Sequence, residues 1–135
     1  MTMETETKLR PGIRWGRVIV GAIIIELVLG AVSGLFYGLD RLDDLASWVV
    51  PATVLAALLG GAWAGRGTGR PVLHGALAGV ISVLIYAVIG VIGLFAAPEQ
   101  VTVEAMVAPI SLAAHATKVI AGAVGGWLVA RRGGG

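Results

Sequence analysis

Four long apolar runs, separated by three short polar gaps, organise the chain. The gaps are DRLDD at 40–44, RGTGRP at 66–71 and PEQVTVE at 98–104. A helix needs about 20 apolar residues to cross a hydrocarbon core of ~30 Å. The runs reach that length and predict helices over about 15–39, 45–65, 72–97 and 106–130. Pro71 suits the first turn of the third helix, where its missing N–H costs nothing. Pro51 and Pro109 fall in outer turns of the second and fourth, where neighbouring groups can take up the freed carbonyls. The expected fold class is therefore all-α: a polytopic four-transmembrane-helix bundle over 15–132, with polar tails at 1–14 and 133–135. Signal-peptide cores run roughly 7–15 residues, so the longer first run is expected to be a retained span.

Composition agrees with the pattern. The 135 residues are 57% hydrophobic and 13% charged, with mean hydropathy +0.91, against about 25% charged in soluble domains. With no cysteine there is no disulfide, thiolate metal site or thiol nucleophile. The net charge of +2 does not imply a nucleic-acid partner, because the charges sit in short turns rather than along one face. The partner implied by the pattern is the lipid bilayer.

The basic residues also set an orientation. Lys8, Arg10, Arg14, Arg17, Arg66, Arg70, Arg131 and Arg132 fall on one side; Arg41 falls on the other with Asp40, Asp43, Asp44, Glu99 and Glu104. The positive-inside rule then places both termini in the cytoplasm of a bacterial-type plasma membrane. Trp15, Trp63 and Trp127 mark the cytoplasmic interface and Trp48 the outer one. A weak internal repeat aligns Gly60-Gly61 with Gly125-Gly126 at an offset of 65, and Gly34-Leu35-Phe36 with Gly93-Leu94-Phe95 at 59. It suggests two-helix units repeated in the same orientation.

Small residues recur four apart: Gly30, Gly34, Gly38 on the first helix; Ala57, Gly61, Gly65 on the second; Gly75, Gly79 on the third; Gly122, Gly126 on the fourth. Residues four apart share a helix face, so each stripe is expected to be a groove for a neighbouring backbone. Extending the first stripe back reaches Glu26, and extending the fourth reaches Lys118. Each charge lies about 17 Å from its end of the span, near mid-depth. A lone charge there costs about 2.5–3.5 kcal/mol on insertion scales, so Glu26 and Lys118 are expected to pair. His115 shares the face of Lys118, Ser82 and Tyr86 continue the third stripe, and Thr53 lies near the same layer. These six residues form the expected polar core. His74 is expected at the cytoplasmic interface, at a different depth from His115, which argues against an axial haem pair.

Two roles compete for the polar core. It can fix helix register, or it can relay protons or bind an ion. No phosphate loop, H-E-x-x-H, close carboxylate pair or Ser/His/Asp set appears, so neither an enzyme, a metal nor a cofactor is expected.

GGAWAGR followed by RPVLHGALAG resembles the YrzE-type small bacterial membrane proteins, which implies a four-helix fold without an assigned activity. GAIIIE is similar to the first helix of small multidrug resistance transporters, which implies a proton- and substrate-binding role for Glu26. Those transporters lack a midplane lysine like Lys118. The expected function is a non-enzymatic accessory or assembly subunit, homo-oligomeric or held in a larger membrane complex. The alternative is a proton- or ion-coupled transporter of small solutes using Glu26, His115 and Lys118. A transporter needs a water-reachable cavity ending at the charges. A scaffold needs a closed core and a second exposed face of small residues.

Overall fold

A computed structural model describes residues 12–133. Most of the tail expected at 1–14, with Lys8 and Arg10, lies outside that range, as do residues 134–135. The helices are α1 (Trp15–Gly38), α2 (Leu42–Gly65), α3 (Pro71–Ala96), α4 (Val103–Met106) and α5 (Pro109–Gly133). All but α4 are long and apolar enough to cross a membrane. The chain is an all-α, multi-pass membrane fold.

Two helix starts differ from the hydropathy pattern. α2 begins at Leu42, and its first turn carries Asp43 and Asp44. Hydropathy excludes these acids from a span, yet they favour a helix N-terminus, whose dipole is positive. The fourth span begins at Pro109 rather than Met106. Met106 instead closes the one-turn α4, whose cap is the Thr102 side chain accepting the Ala105 N–H at 3.2 Å. Proline disfavours helical geometry in the residue before it, so Ala108 separates the two helices.

Between α1 and α2, Asp40 takes a positive φ of 55°. The Asp40 N–H bonds to the Tyr37 carbonyl at 3.1 Å and the Arg41 N–H to the Phe36 carbonyl at 2.9 Å. This is a Schellman closure, in which a short polar side chain stands where glycine is commoner. It reverses the chain within three residues.

α2 and α3 occupy the centre of the bundle. Both touch each other, α1 and α5, while α1 and α5 face one another across the long diagonal. The interior is built from small side chains. Alanine dominates the buried apolar set, and the largest fully buried side chains are Ile25, His74, Val18, Thr53 and Ser82. Lipid gives helices no hydrophobic reason to associate, so close backbone packing must supply the attraction.

Adjacent glycines serve different neighbours, because successive helical residues point about 100° apart. On α2, a Cβ at Gly60 would run into the Gly21 carbonyl and Ile25 of α1, and one at Gly61 into the Gly122 backbone of α5. On α5, Gly125 meets Leu58 and Ala62 of α2, and Gly126 meets Pro71 and Val72 of α3. Gly75 packs on Gly122, Gly79 on the Lys118 and Val119 backbone, and Gly65 on Pro71 and Gly126. The stripes of α2, α3 and α5 are thus interfaces.

The α1 stripe is not. Nothing lies within 4 Å of a Cβ built at Gly30, Gly34 or Gly38. α1 packs instead through Val18, Gly21, Ala22 and Ile25, in the half nearer the arginine-rich end. The expectation failed because spacing reveals a face, not whether a neighbour reaches it. The α1–α2 and α3–α5 pairs match the two repeat units, yet α2 packs on α3 while α1 barely meets α5.

At the arginine-rich end, Arg14 Nη1 donates to the Gly67 carbonyl at 3.2 Å and Arg17 Nη1 to that of Trp63 at 3.1 Å. These carbonyls close α2, where cations also offset the helix dipole. His74, in the first turn of α3 at the arginine-rich end, is only 1% exposed and so faces the bundle. Its Nε2 accepts the Arg14 N–H at 2.9 Å and its Nδ1 lies 2.8 Å from the Arg70 carbonyl. That pairing requires the neutral ring with its proton on Nδ1. His74 therefore pins the start of α1 to the start of α3. The four tryptophans are all exposed, as rings at a membrane interface should be.

Candidate functional site

Glu26, Thr53 and Ser82 sit at the middles of α1, α2 and α3, with Lys118 near the middle of α5. Towards the arginine-rich end, the glycine contacts close the bundle. On the acidic side of this layer, the only buried residue on the spans is Ala114. Burial of the four long helices therefore thins from mid-depth outward.

The space between them is a cavity of about 320 Å³ lined by all four spans. Glu26, Lys118, His115 and Tyr86 form its polar floor, and Leu29, Val49 and Ile89 contribute apolar wall. Ser33 and Ser111 mark its outward extent, each seven residues beyond the charged residue on its own helix. That is about 10 Å at the helical rise.

At the floor, Lys118 Nζ lies 2.6 Å from Glu26 Oε1, and Ser82 Oγ donates to the same oxygen at 2.5 Å. The lysine is buried (side chain 3% exposed), whereas the glutamate keeps 18% of its side chain exposed. The ion pair spans the long diagonal that the backbones of α1 and α5 do not close. Glu26 Oε2 has no hydrogen-bond partner among the described residues and is not among the enclosed unpartnered atoms, which leaves it open to the cavity.

Tyr86 and His115 stand beside the pair. Their rings are 4.7 Å apart at 59°, and Lys118 Nζ sits 5.3 Å from the Tyr86 ring centroid, a cation–π distance. His115 Nδ1 is enclosed and has no hydrogen-bond partner among the described residues. Thr53 lines the cavity but does not join the cluster, because its hydroxyl donates to the Val49 carbonyl of its own helix at 2.6 Å.

The structure thus joins Glu26, Ser82 and Lys118 by hydrogen bonds, sets Tyr86 and His115 against them, and leaves Thr53 in the wall. Sequence reasoning missed Gly21, Gly60 and Gly125, although the doubled glycines at 60–61 and 125–126 carried a signal for two-sided packing. It also missed the apolar wall residues, which nothing in an apolar span distinguishes from lipid-facing ones. Among the described residues, no group of three His, Asp or Glu is placed to hold a metal ion.

Chemically, the floor offers one open carboxylate oxygen, an ammonium with unfilled donors, and a ring nitrogen without a partner. An unsatisfied polar atom in so apolar a setting costs roughly 1–3 kcal/mol, which a proton, water or polar ligand entering the cavity would relieve. Comparison with family models, with curated proteins and with solved structures gives no match to this chain.

Proposed function

We propose that this is a non-enzymatic, proton-coupled carrier of small solutes, held here with its cavity open toward the acidic end. One observation carries the reading: the cavity between the parted helix halves ends on the Glu26–Lys118 pair, with closed glycine packing beyond it. The positive-inside rule makes the acidic end the outer one, with both termini cytoplasmic. A proton reaching the open oxygen of Glu26 neutralises the carboxylate and removes the counterion of Lys118. The ammonium is then left at mid-depth, where an unpaired charge is costly. His115, one turn away on the same helix, offers a ring nitrogen without a partner among the described residues. Exchange of partners at Lys118 couples proton arrival to a change in how α5 meets α1. The apolar wall fits the hydrocarbon part of an amphipathic solute whose polar end reaches the floor.

Proteoliposomes enclosing a pH-sensitive dye test this directly. Under an inward-negative potassium diffusion potential, the wild type is expected to acidify the lumen faster than empty vesicles. Glu26→Gln keeps an acceptor for Lys118 and Ser82, so it should fold and be silent. A folded wild type with flux equal to empty vesicles would defeat the proposal.

A second reading, that of an assembly or accessory subunit in a larger complex, is favoured by the open Gly34 and Gly38 positions of α1, beyond Gly30 in the cavity lining. Small residues four apart are the usual surface for another membrane helix. Native mass measurement in mild detergent separates the two, since a carrier acting alone needs no second chain.

A further inference from the structure

The arginines at the basic end divide into two groups. Arg14 donates to the Gly67 carbonyl of the α2–α3 turn and Arg17 to the Trp63 carbonyl of α2, and Arg131 stacks on the Trp127 ring at 4.1 Å. The guanidinium groups of Arg66 and Arg132 have no hydrogen-bond, ion-pair or cation–π partner among the described residues, yet both residues line one open cavity of about 750 Å³ between the α2–α3 turn and the end of α5. Thr68 and Gly67 complete its polar wall. The Gly67 φ of +68° turns the chain there, and its carbonyl is already taken by Arg14. Among the described residues no acidic side chain competes, since each lies at mid-depth or beyond it. Helix-dipole offset alone does not occupy these donors, since each guanidinium presents five N–H groups in a planar fork suited to phosphate oxygens.

From this we infer that the cavity is a headgroup site for a phospholipid, in which Arg66 and Arg132 clamp a phosphate from two different helices. Its level supports a lipid rather than a soluble ligand. Trp63 and Trp127, exposed on the same two helices, mark the depth where headgroups meet acyl chains. Val129 and Ala130 supply apolar wall beside the arginines, as a lipid's glycerol and first methylenes require. An anionic lipid is favoured over a zwitterionic one, because the clamp has two positive charges and, among the described residues, no negative one.

The test uses the full chain in neutral mild detergent, with lipid retention read by native mass spectrometry. Phosphatidylglycerol is expected to be retained over phosphatidylcholine. In Arg66→Gln/Arg132→Gln that preference should fall about tenfold or more, while Arg131→Gln should keep it. Neither altered guanidinium has a partner among the described residues, so the double variant should retain its wild-type circular dichroism and elution. Equal retention of the two lipids by the wild type overturns the inference, as does a preference that survives in the double variant. Displacement of phosphatidylglycerol by millimolar inorganic phosphate would make the site one for a free anion, which also refutes the lipid assignment.

Discussion

Removing one member of the central pair should cost more on one side than on the other. Lys118 is 2% exposed, and Glu26 Oε1 is its one hydrogen-bond acceptor among the described residues. Glu26→Leu therefore leaves an ammonium enclosed without an acceptor, a change that costs about 3–5 kcal/mol when a buried pair is broken. Lys118→Met leaves a carboxylate that keeps the Ser82 hydroxyl and reaches the cavity through its 18% exposed side chain. Water can solvate that group, so the cost should be about 1–3 kcal/mol, nearer that of an unmet hydrogen bond. Replacing both by apolar residues removes the desolvated charges together and should return stability to within about 1 kcal/mol of the parent. The double variant should thus be more stable than Glu26→Leu alone by roughly 2–4 kcal/mol, the signature of direct coupling. Reversible unfolding in mixed detergent micelles, followed by far-UV circular dichroism, measures all four chains. Additive single costs would refute the pairing. A Lys118→Met variant less stable than Glu26→Leu would refute the assigned asymmetry of burial.

Three further outcomes follow from the packing. Gly122→Ala directs a methyl group at the Gly75 carbonyl and should destabilise by about 1–3 kcal/mol, because backbone has no rotamer to yield; Gly34→Ala should change the same unfolding midpoint little. His74→Leu strands the Arg14 N–H, while the Arg70 carbonyl keeps the backbone N–H of residue 74, so it should cost about 1–3 kcal/mol and expose the start of α1 to faster hydrogen exchange. The chain has no native cysteine, so single replacements report access. Ser33→Cys and Ser111→Cys should react with a membrane-impermeant thiol reagent added outside right-side-out vesicles, whereas Ala64→Cys should stay unreactive.

Hydropathy alone carries the spans, because crossing hydrocarbon demands length and apolarity that few other architectures share. The mid-depth of Glu26 and Lys118, and their joint need for a partner, follow equally from one chain: an acid and an amine that costly to bury alone have every reason to meet. The doubled glycines at 60–61 and 125–126 were likewise visible as signals, though not whom they face. Tertiary structure decided the rest. Gly30, Gly34 and Gly38 share the spacing of Gly122 and Gly126, yet only the latter find a backbone, because α1 buries nothing fully beyond Ile25 and meets the core there only through Val28 and Leu29. Ser82, rather than Thr53, completes the pair, since Thr53 bonds its own helix. Most of all, the cavity arises from how four helices diverge, and divergence is a property of their relative placement. Periodicity along a sequence states which side of a helix is smooth, small or charged; only the assembled bundle determines where those sides touch and where they leave a space.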